Sequence, residues 1–137
     1  MLSKIKKAMR GEGGFTLIEL MVVILIIGIL IAIAVPSFIA IRNRGYQAQA
    51  KSNLRNGVTA SAAYGTDHEG DYTGMTAAIL HNEYESSVTF ADGAGAVVNT
   101  VYISGLGADA YVLTVTARDG SVYTATKAAG GGVTYNF

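Results

Sequence analysis

The sequence predicts an α+β fold in which one long N-terminal helix is packed on a small antiparallel β-sheet head. Three observations support this prediction. The chain is almost wholly apolar over residues 15–41, an amphipathic helical pattern follows to about residue 64, and segments rich in Val, Thr and Tyr fill much of the rest. We therefore expect a basic leader at 1–14, the helix at 15–64 with 15–41 spanning a membrane, and a globular head at 65–137.

The leader is short and basic, and it ends in glycine. Its four basic residues are set against one acid, Glu12, which gives the leader a net charge of +3 in a chain whose formal net charge is zero. A positive block before an apolar run keeps that end of the chain in the cytoplasm. We expect the C-terminal part to be exported. The basic residues are Lys4, Lys6, Lys7 and Arg10.

The apolar run contains a single acid, Glu19. At about 1.5 Å per residue, its roughly 27 residues form a helix of about 40 Å, long enough to span a bilayer with some tilt. A carboxylate costs about 2.5 to 3.5 kcal/mol at the middle of a bilayer and less near the interface, so Glu19 needs a partner. A cut between Gly14 and Phe15 would supply one, because the new amine would lie four residues from Glu19 on the same helical face.

The residues around this point resemble the processing site of type IV pilins and type II secretion pseudopilins, which carry a class III signal peptide. The match includes the basic leader, a glycine, an aromatic residue, an acid and a long apolar helix in register, in the run Gly14-Phe15-Thr16-Leu17-Ile18-Glu19. The resemblance implies cleavage after Gly14 by prepilin peptidase at the cytoplasmic membrane face. It also implies N-methylation of Phe15 and assembly of the apolar helices into a filament core.

The same resemblance implies a single-pass precursor in the inner membrane, followed by an extracellular pilus or a secretion-system pseudopilus. The implied partners are further copies of the chain and the pilus assembly machinery, and no cofactor or specific nucleic acid is expected. A pilus would serve motility, adhesion or DNA uptake, and a pseudopilus with a calcium-bound head is the alternative. Glu19 is implied to pair with the amine of Phe15 in an adjacent subunit, with Thr16, Gly28 and Pro36 also taking part in assembly.

The chain contains no cysteine, which excludes disulfides, thiolate metal sites and a cysteine nucleophile. Many members of the resembling family close their C-terminal region with a disulfide. We therefore expect the C-terminal loop of this chain, and any adhesive role of that loop, to depart from the family pattern.

A second interpretation is an ordinary secretory signal. Ala32-Ile33-Ala34 has the small residues of such a cleavage site, with residues 20–30 as the apolar core, so the mature chain would be a secreted β domain starting at Val35. This interpretation leaves Gly14-Phe15 and Glu19 unexplained. The two interpretations predict different mature N-termini.

Gly28 and Pro36 mark the weakest part of the helix. Proline removes one backbone N–H and presses on the carbonyl of Ala32, at a local cost of about 3 kcal/mol or more in a helix interior. We expect Pro36 to interrupt and kink the helix, and residues 28–36 to loosen during assembly. The alternative is that glycine and proline are simply better tolerated in membrane helices.

Beyond Pro36 an apolar stripe repeats every fourth residue, which predicts that the helix continues to about Tyr64 and packs on the sheet. The stripe consists of Tyr46, Ala50, Leu54, Val58 and Ala62. Basic residues accompany it at Arg42, Arg44, Lys51 and Arg55. They suit acidic lipid headgroups, DNA or acidic residues of neighbouring subunits, or they form a solvated helix face.

Residues 65–71 break the helical periodicity and predict a loop, followed by a short helical turn at about residues 75–80. Asp67, Glu69 and Asp71 alternate like oxygen ligands for calcium, but they lack the spacing and the terminal glutamate of an EF-hand loop. They are weak metal candidates beside the simpler interpretation of a solvated acidic loop. His68 and His81 are expected to lie on the surface.

Five segments predict strands, at residues 87–91, 97–104, 111–117, 121–128 and 133–137. Asp119-Gly120, between the third and fourth segments, is a hairpin signal. Alternation in the third strand separates two faces, and we expect the first of them to meet the helix. The first face carries Tyr111, Leu113, Val115 and Ala117, and the second carries Val112, Thr114 and Thr116.

No motif indicates an enzyme. Gly105-Leu-Gly107 fits a loose dinucleotide-binding fingerprint, but a strand follows it instead of a helix whose N-terminus can hold a pyrophosphate, so it predicts a glycine turn. The sequence also has no serine elbow, phosphate-binding loop, zinc spacing or convincing acid pair. We therefore expect a protein without catalytic activity.

Overall fold

The computed structural model describes residues 14–137. The chain divides into two compact units, Met1–Ala40 and Ile41–Phe137. The first helix, α1 (Leu17–Asp67), contributes residues to both units and ends three residues beyond the predicted Tyr64. It is long and apolar enough, by length and composition, to cross a membrane.

The remaining elements belong to the second unit. A short helical turn, α2 (Ala77–Ile79), begins at Thr76, whose hydroxyl accepts a hydrogen bond from the Ile79 N–H, and it continues into a π-helical turn, Leu80–Tyr84. This agrees with the turn expected near residues 75–80. Five strands follow: β1 (Thr89–Asp92), β2 (Thr100–Gly107), β3 (Ala110–Thr116), β4 (Val122–Lys127) and β5 (Val133–Asn136).

Helix α1 runs through Pro36 without a break, so the predicted interruption at this residue is wrong. The proline ring leaves one carbonyl without its usual helical N–H donor. One residue later, the Ser37 hydroxyl donates to the carbonyl of Ile33 at 3.5 Å. The turns on both sides of Pro36 are helical. The kink and the loosening of residues 28–36 stay predictions.

The sheet is mixed, which corrects the expected antiparallel sheet. The strand order is β1-β2-β3-β4-β5, and β2 to β5 pair antiparallel, but β1 pairs parallel to β2. The connecting residues 93–99 run back along β1, so that β2 begins beside the first residue of β1. Val98 forms a parallel bridge with Thr116, and the Asn99 N–H donates to the Thr116 carbonyl at 2.9 Å.

Gly105 lies at an irregularity in β2 and not in the turn that the sequence predicted. The pairing register between β2 and β3 shifts between Ser104 and Gly107, and β2 continues to Gly107. Gly105 has a φ of 59°, a conformation that L side chains rarely adopt. The glycine therefore permits a bulge inside the strand.

The core lies between the C-terminal part of α1 and one face of the sheet. The prediction for β3 is confirmed, because Tyr111, Leu113, Val115 and Ala117 are all buried. Thr116 is also buried, although it belongs to the opposite face, because the connection at 93–99 pairs with it. The helix contributes Ala50, Leu54, Ala60 and Tyr64 to the same core.

The buried stripe of α1 follows steps of three and four residues, so the predicted stripe is only partly correct. Residues spaced four apart are each displaced by about 40° around the helix axis. A stripe with a strict step of four therefore moves away from the buried face. Ala50 and Leu54 are buried as predicted, whereas Val58 is half-buried and Ala62 is exposed. The buried set is Ala50, Leu54, Gly57, Ala60, Ser61, Tyr64 and Gly65.

Candidate assembly site

The first turn of α1 forms a capping box between Thr16 and Glu19. The Glu19 Oε2 atom accepts hydrogen bonds from the Thr16 N–H at 2.8 Å and from the Thr16 hydroxyl at 2.9 Å. The Thr16 Oγ1 in turn accepts from the Glu19 N–H at 3.3 Å. This reciprocal pattern satisfies backbone donors that a helix N-terminus otherwise leaves without partners.

The capping box has a signal in the sequence, Thr16-Leu17-Ile18-Glu19, which the predictions from charge and hydropathy missed. The motif threonine-x-x-glutamate before an apolar run is a known helix start signal. Both residues were predicted to act in assembly, and the structure brings them together for a local reason. Glu19 therefore has a role in its own chain before any second subunit is considered.

One oxygen of the Glu19 carboxylate, Oε2, accepts both hydrogen bonds from Thr16. Among the described residues, no hydrogen bond to Oε1 is present. An ionised carboxylate has about four acceptor positions on its two oxygens. The same side chain can therefore cap its own helix and accept a further donor.

Gly14 and Phe15 precede the helix, and the side chain of Phe15 is 91% exposed. The predicted cleavage point thus lies in a non-helical segment next to the capping box. The predicted basic leader lies outside the described residues, apart from Gly14. Its charged residues are Lys4, Lys6, Lys7, Arg10 and Glu12.

The apolar side chains of the N-terminal unit have no protein partner within the described chain. Every large hydrophobic side chain from Phe15 to Ile41 is at least 47% exposed. An exposed apolar surface of this extent marks an interaction with a membrane or with other protein. Gly28 lies in this surface, and a Cβ atom placed there would have no heavy atom within 4 Å outside the local helix backbone.

Two of the three candidate calcium ligands, Asp67 and Asp71, accept hydrogen bonds from different partners. Asp67 Oδ2 accepts from the Tyr84 hydroxyl at 2.8 Å, and Asp71 Oδ1 accepts from the N–H and hydroxyl of Thr73 at 2.8 and 2.7 Å. The two hydrogen bonds from Thr73 hold the pKa of Asp71 below its usual value. Within residues 14–137, no three His, Cys, Asp or Glu side chains are grouped as a metal site.

Both histidines are exposed, as expected. The ring of His68 stacks on Tyr64 with centroids 3.9 Å apart, and its Nδ1 lies 2.9 Å from the Tyr64 carbonyl. The Nδ1 of His81 lies 2.9 Å from the carbonyl of Val88. Their contacts are with the protein itself.

Three of the four predicted basic residues lie against aromatic rings. Arg42 lies 5.6 Å from the centre of the Tyr46 ring, and Arg118 of the β3–β4 turn lies at the same distance from that ring. Lys51 lies 4.8 Å from the ring of Tyr123 and 5.1 Å from that of Phe137, which also has Arg55 at 5.2 Å. Cation–π contacts of this kind hold a positive charge without neutralising it.

Comparisons with known proteins match the region around the start of the helix. A family model described as the prokaryotic N-terminal methylation motif matches residues 9–35. The type IV major fimbrial protein FimA of Dichelobacter nodosus is 35% identical over 126 residues, which cover 78% of this chain and 77% of that protein. No solved structure matches the chain.

Two further relatives match shorter parts. The type IV wide pilus major component PilA4 of Thermus thermophilus is 37% identical over 86 residues, or 61% of this chain and 65% of that protein. The type IV major pilin protein PilA of Myxococcus xanthus is 55% identical over 51 residues, or 37% of this chain and 23% of that protein. The chain thus spans less than two thirds of these two relatives. With the methylation motif at the helix start and a pilin relative aligned over most of both chains, the chain belongs to the type IV pilin family.

Proposed function

We propose that this chain is the precursor of a structural subunit of a type IV pilus. It is inserted in the inner membrane through its apolar helix, cleaved after Gly14 by prepilin peptidase, and methylated at the new N-terminus on Phe15. It then leaves the membrane and polymerises with further copies through residues 15–41. Relatives named as pilus components and the exposed apolar surface of that helix support the proposal.

The observation that carries the proposal is a single carboxylate on this apolar surface. Removing lipid from the helix costs little if the same surface is then covered by neighbouring helices, because both environments are apolar. Glu19 is different, since a charge in an apolar environment needs a pairing partner. The amine of Phe15 in an adjacent subunit supplies that partner in the filament, and the free Oε1 of Glu19 can receive it.

Variants at the capping box distinguish the role of Glu19 in the ion pair from its role in the helix cap. Glu19→Gln keeps a side-chain oxygen that can accept from Thr16 but removes the charge, whereas Thr16→Ala removes the cap hydroxyl and keeps the charge. We expect E19Q and Glu19→Ala to leave a processed, membrane-held chain that forms few filaments. We expect T16A to lose at most about 0.5–2 kcal/mol of helix stability and to assemble.

The measurement is the amount of filament sheared from cells that produce each variant, beside the amount of chain left in the membrane. Normal assembly by E19Q together with failure of T16A would show that Glu19 acts only as a cap. Normal assembly by Glu19→Ala would contradict the proposed pairing altogether.

The mature N-terminus tests processing directly. N-terminal sequencing and mass measurement should give N-methylated Phe15. A chain starting at Val35 would identify a secreted domain, and a chain starting at Met1 would identify an uncleaved anchor. Comparing a deletion strain with the wild type for movement, attachment and DNA uptake then assigns the role of the filament.

A further inference from the structure

The charged residues of the unit Ile41–Phe137 are separated along its length. Residues 41–66 contain four basic residues and no acid, whereas residues 67–92 contain six acids and neither lysine nor arginine. We call the basic residues with Arg118 the basic surface and the six acids the acidic surface. The basic surface is Arg42, Arg44, Lys51, Arg55 and Arg118. The acidic surface is Asp67, Glu69, Asp71, Glu83, Glu85 and Asp92.

The fold keeps the two surfaces apart. At about 1.5 Å per residue, Arg42 lies about 37 Å from Asp67 along α1, and Arg55, the nearest basic residue of the helix, lies about 18 Å from it. Two hydrogen bonds connect the segments that carry the later acids, one to the end of the helix and one to the turn that follows it. Tyr84, next to Glu83, donates to Asp67, and Asp92 Oδ1 accepts from the Ala77 N–H at 2.7 Å.

The basic surface has almost no internal neutralisation. Among residues 14–137, the single ion pair between a basic side chain and a carboxylate joins Lys127 to Asp109, and neither residue belongs to the two surfaces. Asp119 lies near the basic end, where its Oδ2 accepts from Gln47 at 2.6 Å. Arg42, Lys51, Arg55 and Arg118 lie instead against aromatic rings, which leaves their positive charges available to a partner.

We infer that the basic surface of one subunit contacts the acidic surface of the next copy of the chain, so that the heads join head to tail in the filament. A contact of the basic surface with its own copy, or of the acidic surface with its own copy, would bring like charges together and is disfavoured. A contact between two different surfaces of the same chain repeats without closing and so builds a filament. This inference rests on the proposed function, because it describes a contact within the proposed pilus.

A second copy of the chain would give both surfaces a partner of opposite charge through one kind of contact. Anionic lipid or nucleic acid would match the basic surface, but it would leave the six exposed or half-exposed carboxylates without a cationic partner. Exposed ion pairs are individually weak and are screened by salt. Their contribution is therefore to fix the direction and register of neighbouring heads, while the apolar helices hold the filament together.

Reversing charges tests the contact in whole cells. Arg44→Glu combined with Arg55→Glu should reduce the yield of sheared filaments about tenfold, since like charges then face each other across the contact. Adding Glu69→Lys and Glu83→Lys to the same chain should restore the yield. Membrane levels of each chain before assembly control for folding, and the four-site variant is the matched control because it contains the same two disruptive substitutions.

Unaltered filaments provide a second test, because Lys51 carries an amine on the basic surface. A zero-length carbodiimide cross-linker joins an amine to a carboxylate in contact with it. It should link Lys51 of one subunit to a carboxylate among residues 67–92 of another, and produce a ladder of oligomers. Lys51→Arg keeps the positive charge and removes the amine, so it should form filaments normally without that cross-link.

Several outcomes would overturn the inference. Normal filament yield after the arginine reversals would do so, as would failure of the four-site variant to recover or linkage of Lys51 only to other carboxylates. Failure to recover would point to lipid or nucleic acid as the partner of the basic surface. If the wild-type chain forms no filament at all, the proposed function fails first and the inference falls with it.

Discussion

Gly65 allows the helix to lie directly against the ring of Tyr72. A Cβ atom at this position would lie 2.4 Å from the Tyr72 hydroxyl oxygen and 2.6 Å from the adjoining ring carbon. Contacts this short force the ring or the helix to move. Gly45 occupies the same helix, but a Cβ atom there would have no such neighbour within 4 Å.

We predict opposite effects for alanine at these two glycines. Gly65→Ala should lower the free energy of unfolding of the second unit by about 1–3 kcal/mol, because the added methyl overpacks the core. Gly45→Ala should raise it by up to about 1 kcal/mol, because alanine favours the helix. Denaturant unfolding of the full chain in detergent measures both. Equal effects of the two substitutions would contradict the proposed contact.

The hydrogen bond between Tyr84 and Asp67 should be visible in a titration. Donation to the Asp67 carboxylate favours the neutral phenol and raises the pKa of Tyr84 to about 12, against an ordinary value of 10.0. Since the folded pKa is the higher one, the bond stabilises the fold fully below pH 10 and is lost as the pH rises through about 12.

Asp67→Asn tests that bond, because it removes the charge that favours the neutral phenol. We expect the pKa of Tyr84 to fall toward its ordinary value, as measured by NMR of labelled tyrosine with Tyr84→Phe used to assign the signal. An unchanged pKa in the variant would show that the bond does not form in solution.

At single residues, the sequence was informative where a motif is local. The Thr16-x-x-Glu19 spacing is enough to predict the capping box, because both partners lie in one helical turn. The placement of Arg118 beside Tyr46 could not be predicted in this way. That contact depends on how the β3–β4 turn meets the helix, which no nearby residue specifies.

At the scale of the element, α1 contains a proline and a glycine in an otherwise continuous helix. Pro36 lacks the N–H that would donate to Ala32. We predict that Pro36→Ala slows hydrogen exchange of the amides that follow in the next turn, because the missing bond is restored. Gly28→Ala is the milder comparison, with an expected gain of about 1 kcal/mol.

Exchange of these amides in detergent micelles, followed by NMR, measures the effect. If loosening of residues 28–36 is needed for assembly, the Pro36→Ala chain should also form fewer filaments than the wild type. Unchanged exchange in this segment would show that the proline does not weaken the helix.

The strands were predictable to within a few residues because alternation and turn residues are local signals, but the direction of β1 was not. A short connection between neighbouring strands normally joins antiparallel partners. Here residues 93–99 run back along the sheet, and Asn99 takes a φ of 60° before β2 begins. The bonds that stabilise this return go to Thr116 and Asn53, which are distant in sequence.

At the scale of the whole molecule, the sheet and the helix share one core. Tyr111 and Leu113 of β3 are buried in the same cluster as Leu54 and Tyr64 of α1. The predicted boundary at residue 65 would separate these partners. A segment of roughly 70 residues has a small core and is only marginally stable without further contacts.

We therefore predict that a fragment of residues 41–137 folds and one of residues 65–137 does not. Circular dichroism and the dispersion of NMR signals distinguish the two states. A folded fragment 65–137 would show that the sheet does not need the helix, and an unfolded fragment 41–137 would show that the N-terminal residues are required as well.

Each strand of the sheet lies beside the strand that precedes or follows it in the chain. No strand therefore needs a partner that is synthesised much later. Such sequential pairing keeps the entropy cost of closing loops low. If the residues after the membrane-spanning segment are exported in chain order, the helical part of the second unit emerges before any strand. The strands can then be added to it one after another, in the order of their synthesis.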